Sequence, residues 1–225
     1  MKFDRYAIYF TPQGSLAEAG AAWLGWDLAR GRTVAHPDVA GLDVAALTET
    51  PRKYGLHATI KPPFVLAEGA SADGLQAAFE VLCTRLAPVT LDGLALTPLG
   101  RFLALTPEGD TAALNAMAAE VVRGLDMFRA PPTEADLARR RQANLTPAQE
   151  ANLTKWGYPY VMDAFRFHIT LTSKLPKADL PQVSAALDPY ITPHLPQPFV
   201  LSSLTLVGQA EDGMFHEVHR AALSG

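Results

Sequence analysis

Two stretches of this chain carry the same pattern and bind the rest of it to a repeated plan. Residues 54–61 read Tyr54-Gly55-Leu56-His57-Ala58-Thr59-Ile60-Lys61, and residues 165–172 read Phe165-Arg166-Phe167-His168-Ile169-Thr170-Leu171-Thr172. Each holds a His-x-Thr followed by an aliphatic residue, and the two histidines are 111 positions apart (168 − 57). Upstream, Phe102–Asp110 echoes Tyr6–Ser15, with Thr106-Pro107 standing 95 positions after Thr11-Pro12. Downstream, Leu91, Leu94 and Leu96 recur as Leu201, Leu204 and Leu206, 110 positions on. The order strand, helix, His-x-Thr strand, helix, strand therefore occurs twice. Duplicated strand–helix units pack economically as pseudo-symmetric lobes, so the expected fold class is α+β, a bilobal pseudo-twofold duplicated fold. Two antiparallel sheets would surround a central cleft, with helices outside.

The expected division is one bilobal domain over 1–225. Repeat unit one spans about 3–97 and repeat unit two about 101–207, followed by a closing strand at about 214–222 after the turn Glu211-Asp212-Gly213. In the first unit the pattern predicts a strand over 3–10 and a helix over 16–29, opened by the capping box Ser15-x-x-Glu18. A short helix at 43–48 interrupts a loop over 32–52, and a helix fits 71–87. Strands follow at about 89–97 and 101–106, and a helix at about 111–126. Pro62-Pro63 should end the first His-x-Thr strand. The second unit carries 16 extra residues before its motif (111 − 95). They fall in a polar helical insertion at about 129–160, with Thr133 and Thr146-Pro147-x-Gln149 as helix starts. That insertion would pack beside the cleft or cover it.

In a strand, residues two apart share a face. His57, Thr59 and Lys61 therefore share a polar face of the first motif, and Arg166, His168, Thr170 and Thr172 one of the second. A lone strand histidine is usually structural. Two histidines at equivalent repeat positions, each with Thr two residues on, point to a functional pair. Imidazole exchanges protons near neutrality, so two of them facing one phosphate can divide general acid and base work. The threonine hydroxyls would donate to non-bridging oxygens, while Lys61 and Arg166 would offset developing charge. No carboxylate shares these faces within two residues of either histidine, so no metal site and no cofactor is expected.

The motifs resemble the signature of the two-histidine phosphoesterase superfamily, which includes the RNA 2′,3′-cyclic phosphodiesterases called RNA ligase-like. Arg52–Phe64, Gly100–Leu105, Trp156–Tyr160 and Phe165–Thr172 are similar to one branch, commonly encoded beside phosphonate-utilisation genes. The resemblance implies metal-independent hydrolysis of a cyclic or linear phosphodiester, with His57, Thr59, His168 and Thr170 as the catalytic set. The substrate would be a small compound of nucleotide or phosphoribosyl type. A non-catalytic module binding a phosphorylated metabolite or an RNA end is the alternative on the same fold.

Secondary candidates flank the motifs. Arg52, Lys53 and Tyr54 either form an exposed basic loop or reach the cleft mouth, and Trp156, Tyr158 and Tyr160 either stack on a ring or anchor the insertion. Arg139-Arg140-Arg141 reads as a solvated helix face, and His36, His194, His216 and His219 as structural or surface residues. The net charge of −4 disfavours long nucleic acid. No apolar run is long enough to span a bilayer. Charges near the N-terminus and the single Cys83, placed in an apolar helical pattern, suggest a cytoplasmic protein. The sequence leaves the oligomeric state open, with a monomer favoured.

Overall fold

The computed structural model describes residues 2–225. Its centre is an antiparallel sheet of seven strands. The first half supplies β1 (Arg5–Phe10), helix α1 (Gly14–Leu24) and the short hairpin β2 (Trp26–Asp27) and β3 (Arg32–Thr33). Two single-turn helices, α2 (Val44–Leu47) and α3 (Glu49–Arg52), lead into β4 (Ala58–Phe64). Then follow α4 (Ala72–Cys83), β5 (Val89–Leu91) and β6 (Gly93–Leu99). The second half runs β7 (Phe102–Glu108), α5 (Ala112–Gly124), α6 (Glu134–Arg141), α7 (Pro147–Trp156) and β8 (Ile169–Thr170). It closes with α8 (Leu180–Ile191), β9 (Phe199–Leu201), β10 (Ser203–Gln209) and β11 (Phe215–Ala222).

The strand order β11-β10-β1-β4-β8-β7-β6 makes the duplication geometric. The two His-x-Thr strands meet at the middle through one pair, Ala58 opposite Ile169. Those residues are themselves 111 positions apart, so the pseudo-twofold axis passes between them. Outward from that seam, β4 pairs with β1 and β8 with β7. The last long strand of each half then crosses over: β10 lies on β1, and β6 on β7. On the same symmetry, β5 pairs with β9, Thr90 opposite Val200. The main core lies on the helix-covered face, where Ile8, Phe10, Ala58, Ile60, Leu103, Leu105, Ile169 and Leu171 are buried under α1, α4, α5 and α8. A smaller cluster of Ala7, Tyr9, Trp26, Leu28, Val207 and Phe215 lies apart from it.

Several boundaries differ from expectation for local reasons. Helix α1 starts after Gln13, with no side-chain cap, and stops at Gly25 rather than near Gly31. Gly25 is left-handed at φ 76°, and an added Cβ would lie 2.6 Å from the His36 ring. Chain termination by a glycine in this conformation satisfies the last helical carbonyls, here through its N–H to Ala21 and Ala22. Strand β4 runs on through Pro62 and Pro63 to Phe64. Beyond Ala58 its outer side is an open edge and, toward β1, the register slips between Tyr6 and Ile8; edges and bulges are the settings in which strand prolines are tolerated. The second motif keeps only two residues of regular strand. The capping box at Thr146–Gln149 and the Thr133 cap both form. Among the described residues, no helix is long and apolar enough to cross a membrane.

Candidate functional site

A cavity of about 340 Å³ opens over the seam, within the size range of small-ligand sites. His57, Thr59 and Thr170 line it, with Tyr54 and Tyr158. His168 stands against a wall residue, its ring centroid 5.9 Å from that of Phe102.

Both histidines are oriented by the same device. His57 Nδ1 lies 2.9 Å from the carbonyl of Gly55, and His168 Nδ1 lies 2.8 Å from the carbonyl of Arg166. A carbonyl only accepts, so Nδ1 carries a proton in each ring; Nε2 then keeps its lone pair when the ring is neutral and holds the second proton when it is charged. Thr59 Oγ1 is 3.1 Å from His57 Nε2 and donates to it. Gly55 makes the first contact feasible: it sits at φ 66°, and a Cβ there would press 2.6 Å from Leu28 Cβ.

The surroundings of the two rings differ. His57 is stacked on the buried Tyr9 ring, centroids 3.9 Å apart, with Tyr54 at 5.8 Å. Phe215 backs both tyrosines. Burial in this aromatic nest pushes the His57 pKa down to about 4, against the Gly55 carbonyl that favours its charged form; the charge of His168 lowers it further. Burial also raises Tyr9 and Tyr158 above the ordinary phenol range.

Not every expected residue reaches the cavity. Lys61 is turned to the opposite face. Tyr9 pairs with Thr59 but Ile8 with Lys61, so Ile60 is an extra residue in β4 and the alternation flips there. Lys61 is consequently 1% exposed and bonds to the Val122 carbonyl at 3.1 Å and to Asp126 at 3.2 Å. Burial pulls its pKa down to about 8 in spite of Asp126. Arg52 serves the backbone, donating to Leu24 O at 3.1 Å and Ala45 O at 2.6 Å. Arg166 folds back on Phe165 O and Asp163 O at 2.7 and 3.3 Å. Neither lines the cavity. Thr172 does, but its hydroxyl accepts from Leu103 N–H and it is 1% exposed.

Other residues line it without having been singled out: Arg5, Tyr9, Phe102 and Lys174, together with Arg140 from the middle of the arginine run. Arg5 and Tyr9 share a face of β1 with alternate spacing, the signal that could have found them. Arg139 pairs with Asp136 and Arg141 with Glu150, whereas Arg140 lies over the Tyr158 ring, 4.6 Å from its centroid. Tyr160 is exposed and meets Tyr158 edge-on. Among the described residues, no three His, Cys, Asp or Glu side chains are grouped to hold a metal ion.

A duplicated α+β fold thus brings two His-x-Thr strands together at its axis. Residues 59–216 match the family described as "Protein of unknown function (DUF1045)", and the chain belongs to that family. It is 36% identical over 231 residues to "Ribose 1,5-bisphosphate phosphokinase PhnN" of Janthinobacterium sp. (strain Marseille), covering 98% of this chain and 51% of that protein. A protein of the same name from Laribacter hongkongensis (strain HLHK9) is 35% identical over 215 residues, with 93% and 49% covered. The chain thus spans about half the length of the curated relatives it matches. Among solved structures, E. coli LigT in apo form aligns over 100% of both chains at 15% identity and a TM-score of 0.46.

Proposed function

We propose that this chain is a phosphodiesterase that opens a small cyclic or linear phosphodiester of nucleotide or phosphoribosyl type by two-histidine acid–base chemistry, without a metal. The observation that carries this reading is the repeated Nδ1–carbonyl contact, which presents Nε2 of both rings for proton transfer. His57, kept neutral by its aromatic nest, takes a proton from the attacking water on Nε2. Protonated His168, whose Arg166 contact lies in solvent, gives its Nε2 proton to the leaving oxygen and is recharged from bulk water. The P–O bond to the leaving oxygen breaks as the bond from water forms. Thr170 donates to one non-bridging oxygen, and Thr59, whose proton rests on His57 Nε2 before substrate binds, swings to donate to the other and frees Nε2 for the water. The relatives' printed name concerns a ribose bisphosphate, which favours a phosphoribosyl compound; the resemblance of the motifs favours a place in phosphonate metabolism.

The test is a panel of cyclic and linear phosphodiesters, ribose cyclic phosphates included, incubated with and without chelator. Turnover that survives chelation is the expected result. Loss of turnover on chelation, restored by zinc or manganese, overturns the mechanism. Tight binding with no turnover of any compound favours a binding module instead.

A further inference from the structure

The cavity is far more cationic than its histidine chemistry requires. Arg5, Arg140 and Lys174 all line it, and among the described residues no Asp or Glu does, in a chain whose net charge is −4. A phosphodiester carries one negative charge, and the threonine hydroxyls and histidines already address it. Three cations against one charge leaves two uncompensated, which matches the −1.5 to −2 of a phosphate monoester near neutrality.

Two of these cations are also free to act. Among the described residues, Arg5 donates only from Nε, to Gln209 at 2.7 Å, which leaves the outer guanidinium nitrogens uncommitted there. Arg140 makes no ion pair among the described residues, although its neighbours Arg139 and Arg141 each have one. It lies over the Tyr158 ring instead, 4.6 Å from the centroid, a contact that holds a guanidinium without neutralising it. Arg5 stands four residues from Tyr9 on the same face of β1, about 13 Å along the strand. The pair also divides the cavity from an adjoining groove, since Arg5 and Arg140 line both. Arg5 and Arg140 therefore stand together at the groove end of the cavity, with Lys174 elsewhere on its lining.

Resting on the phosphodiesterase reading, we infer that Arg5 and Arg140, aided by Lys174, form a second anion subsite, and that the substrate bears a terminal phosphate monoester besides its diester. The subsite selects the substrate and leaves the proton transfers to the histidines.

The test compares adenosine 2′,3′-cyclic phosphate with its 5′-phosphorylated counterpart. The wild type should prefer the phosphorylated compound by about 10–100-fold in kcat/KM, the size of one or two bonds to a charged group. Arg140→Met and Arg5→Met should each collapse that ratio toward one, and added salt should shrink it. A wild-type ratio near one, or a ratio that both variants leave intact, overturns the subsite. If neither compound is turned over, the phosphodiesterase reading falls, and equilibrium binding decides the subsite on its own. Wild type should then still bind the phosphorylated compound more tightly than the other, and Arg140→Met should lose that difference; equal binding of the two overturns the subsite.

Discussion

His57 and His168 occupy equivalent positions and hold the same carbonyl contact, yet they are not interchangeable. Only His57 is packed against Tyr9, and that packing keeps it neutral. A base that stays unprotonated down to about 4 sets the acid limb of kcat/KM. That limb should fall near pH 4 rather than near 6.5, measured on any compound the wild type turns over. The same shift bears on stability. The unfolded chain takes up the proton at about 6.5 and the folded one at about 4, so as pH falls through that window the unfolded state holds more protons and stability is lost. Replacing His57 or His168 with Ala should each lower turnover by about 10²–10⁴-fold. The double variant should lose less than the product of the two, because the rings act as a unit. Lys61 belongs to a different account. Lys61→Met removes its bonds to Val122 and Asp126 and should lower the unfolding free energy by about 1–3 kcal/mol in a urea titration, with little change in kcat/KM.

Elements were legible in the sequence where one local rule governed them. The caps at Thr133 and Thr146, and the alternation that buries Ile60, Ile169 and Leu171, depend on neighbours within a few positions. What was not legible came from the other side of the fold. The bulge at Ile60 that turns Lys61 inward is set by pairing with β1, some fifty positions earlier. Arg139 and Arg140 lie three and four residues after Asp136, so helical spacing alone offers the carboxylate to both; the packing of Tyr158 decides which remains unpaired. The end of α1 is another such case. Ser15 and Glu18 suggested a start, but Gly25 sets the stop because His36 fills the space beside it. Gly25→Ala should cost about 1–3 kcal/mol for the left-handed backbone alone, and more for the clash, read as a lowered thermal midpoint.

At the scale of the whole molecule, the halves are joined in two ways of unequal strength. Ala58 and Ile169 form a single pair at the seam, while β6 and β10 each lie wholly in the other half's part of the sheet. A cut at the Gly100 turn between β6 and β7 should therefore leave neither fragment folded alone by circular dichroism. Mixed, residues 1–100 and 101–225 should recover a one-to-one complex by size-exclusion chromatography. Folding of either fragment by itself would contradict this.

The crossing of β6 and β10 also says what a chain of half this length would have to be. Alone, such a chain would lack the strand that completes its sheet, so two copies would trade their last strands and close as a homodimer. Its two histidines would then be encoded by one codon and could not be tuned apart. Joining the copies into one polypeptide removes that constraint. An aromatic nest around one ring, and a helical insertion present in one half alone, are the kind of asymmetry that only a fused chain can acquire.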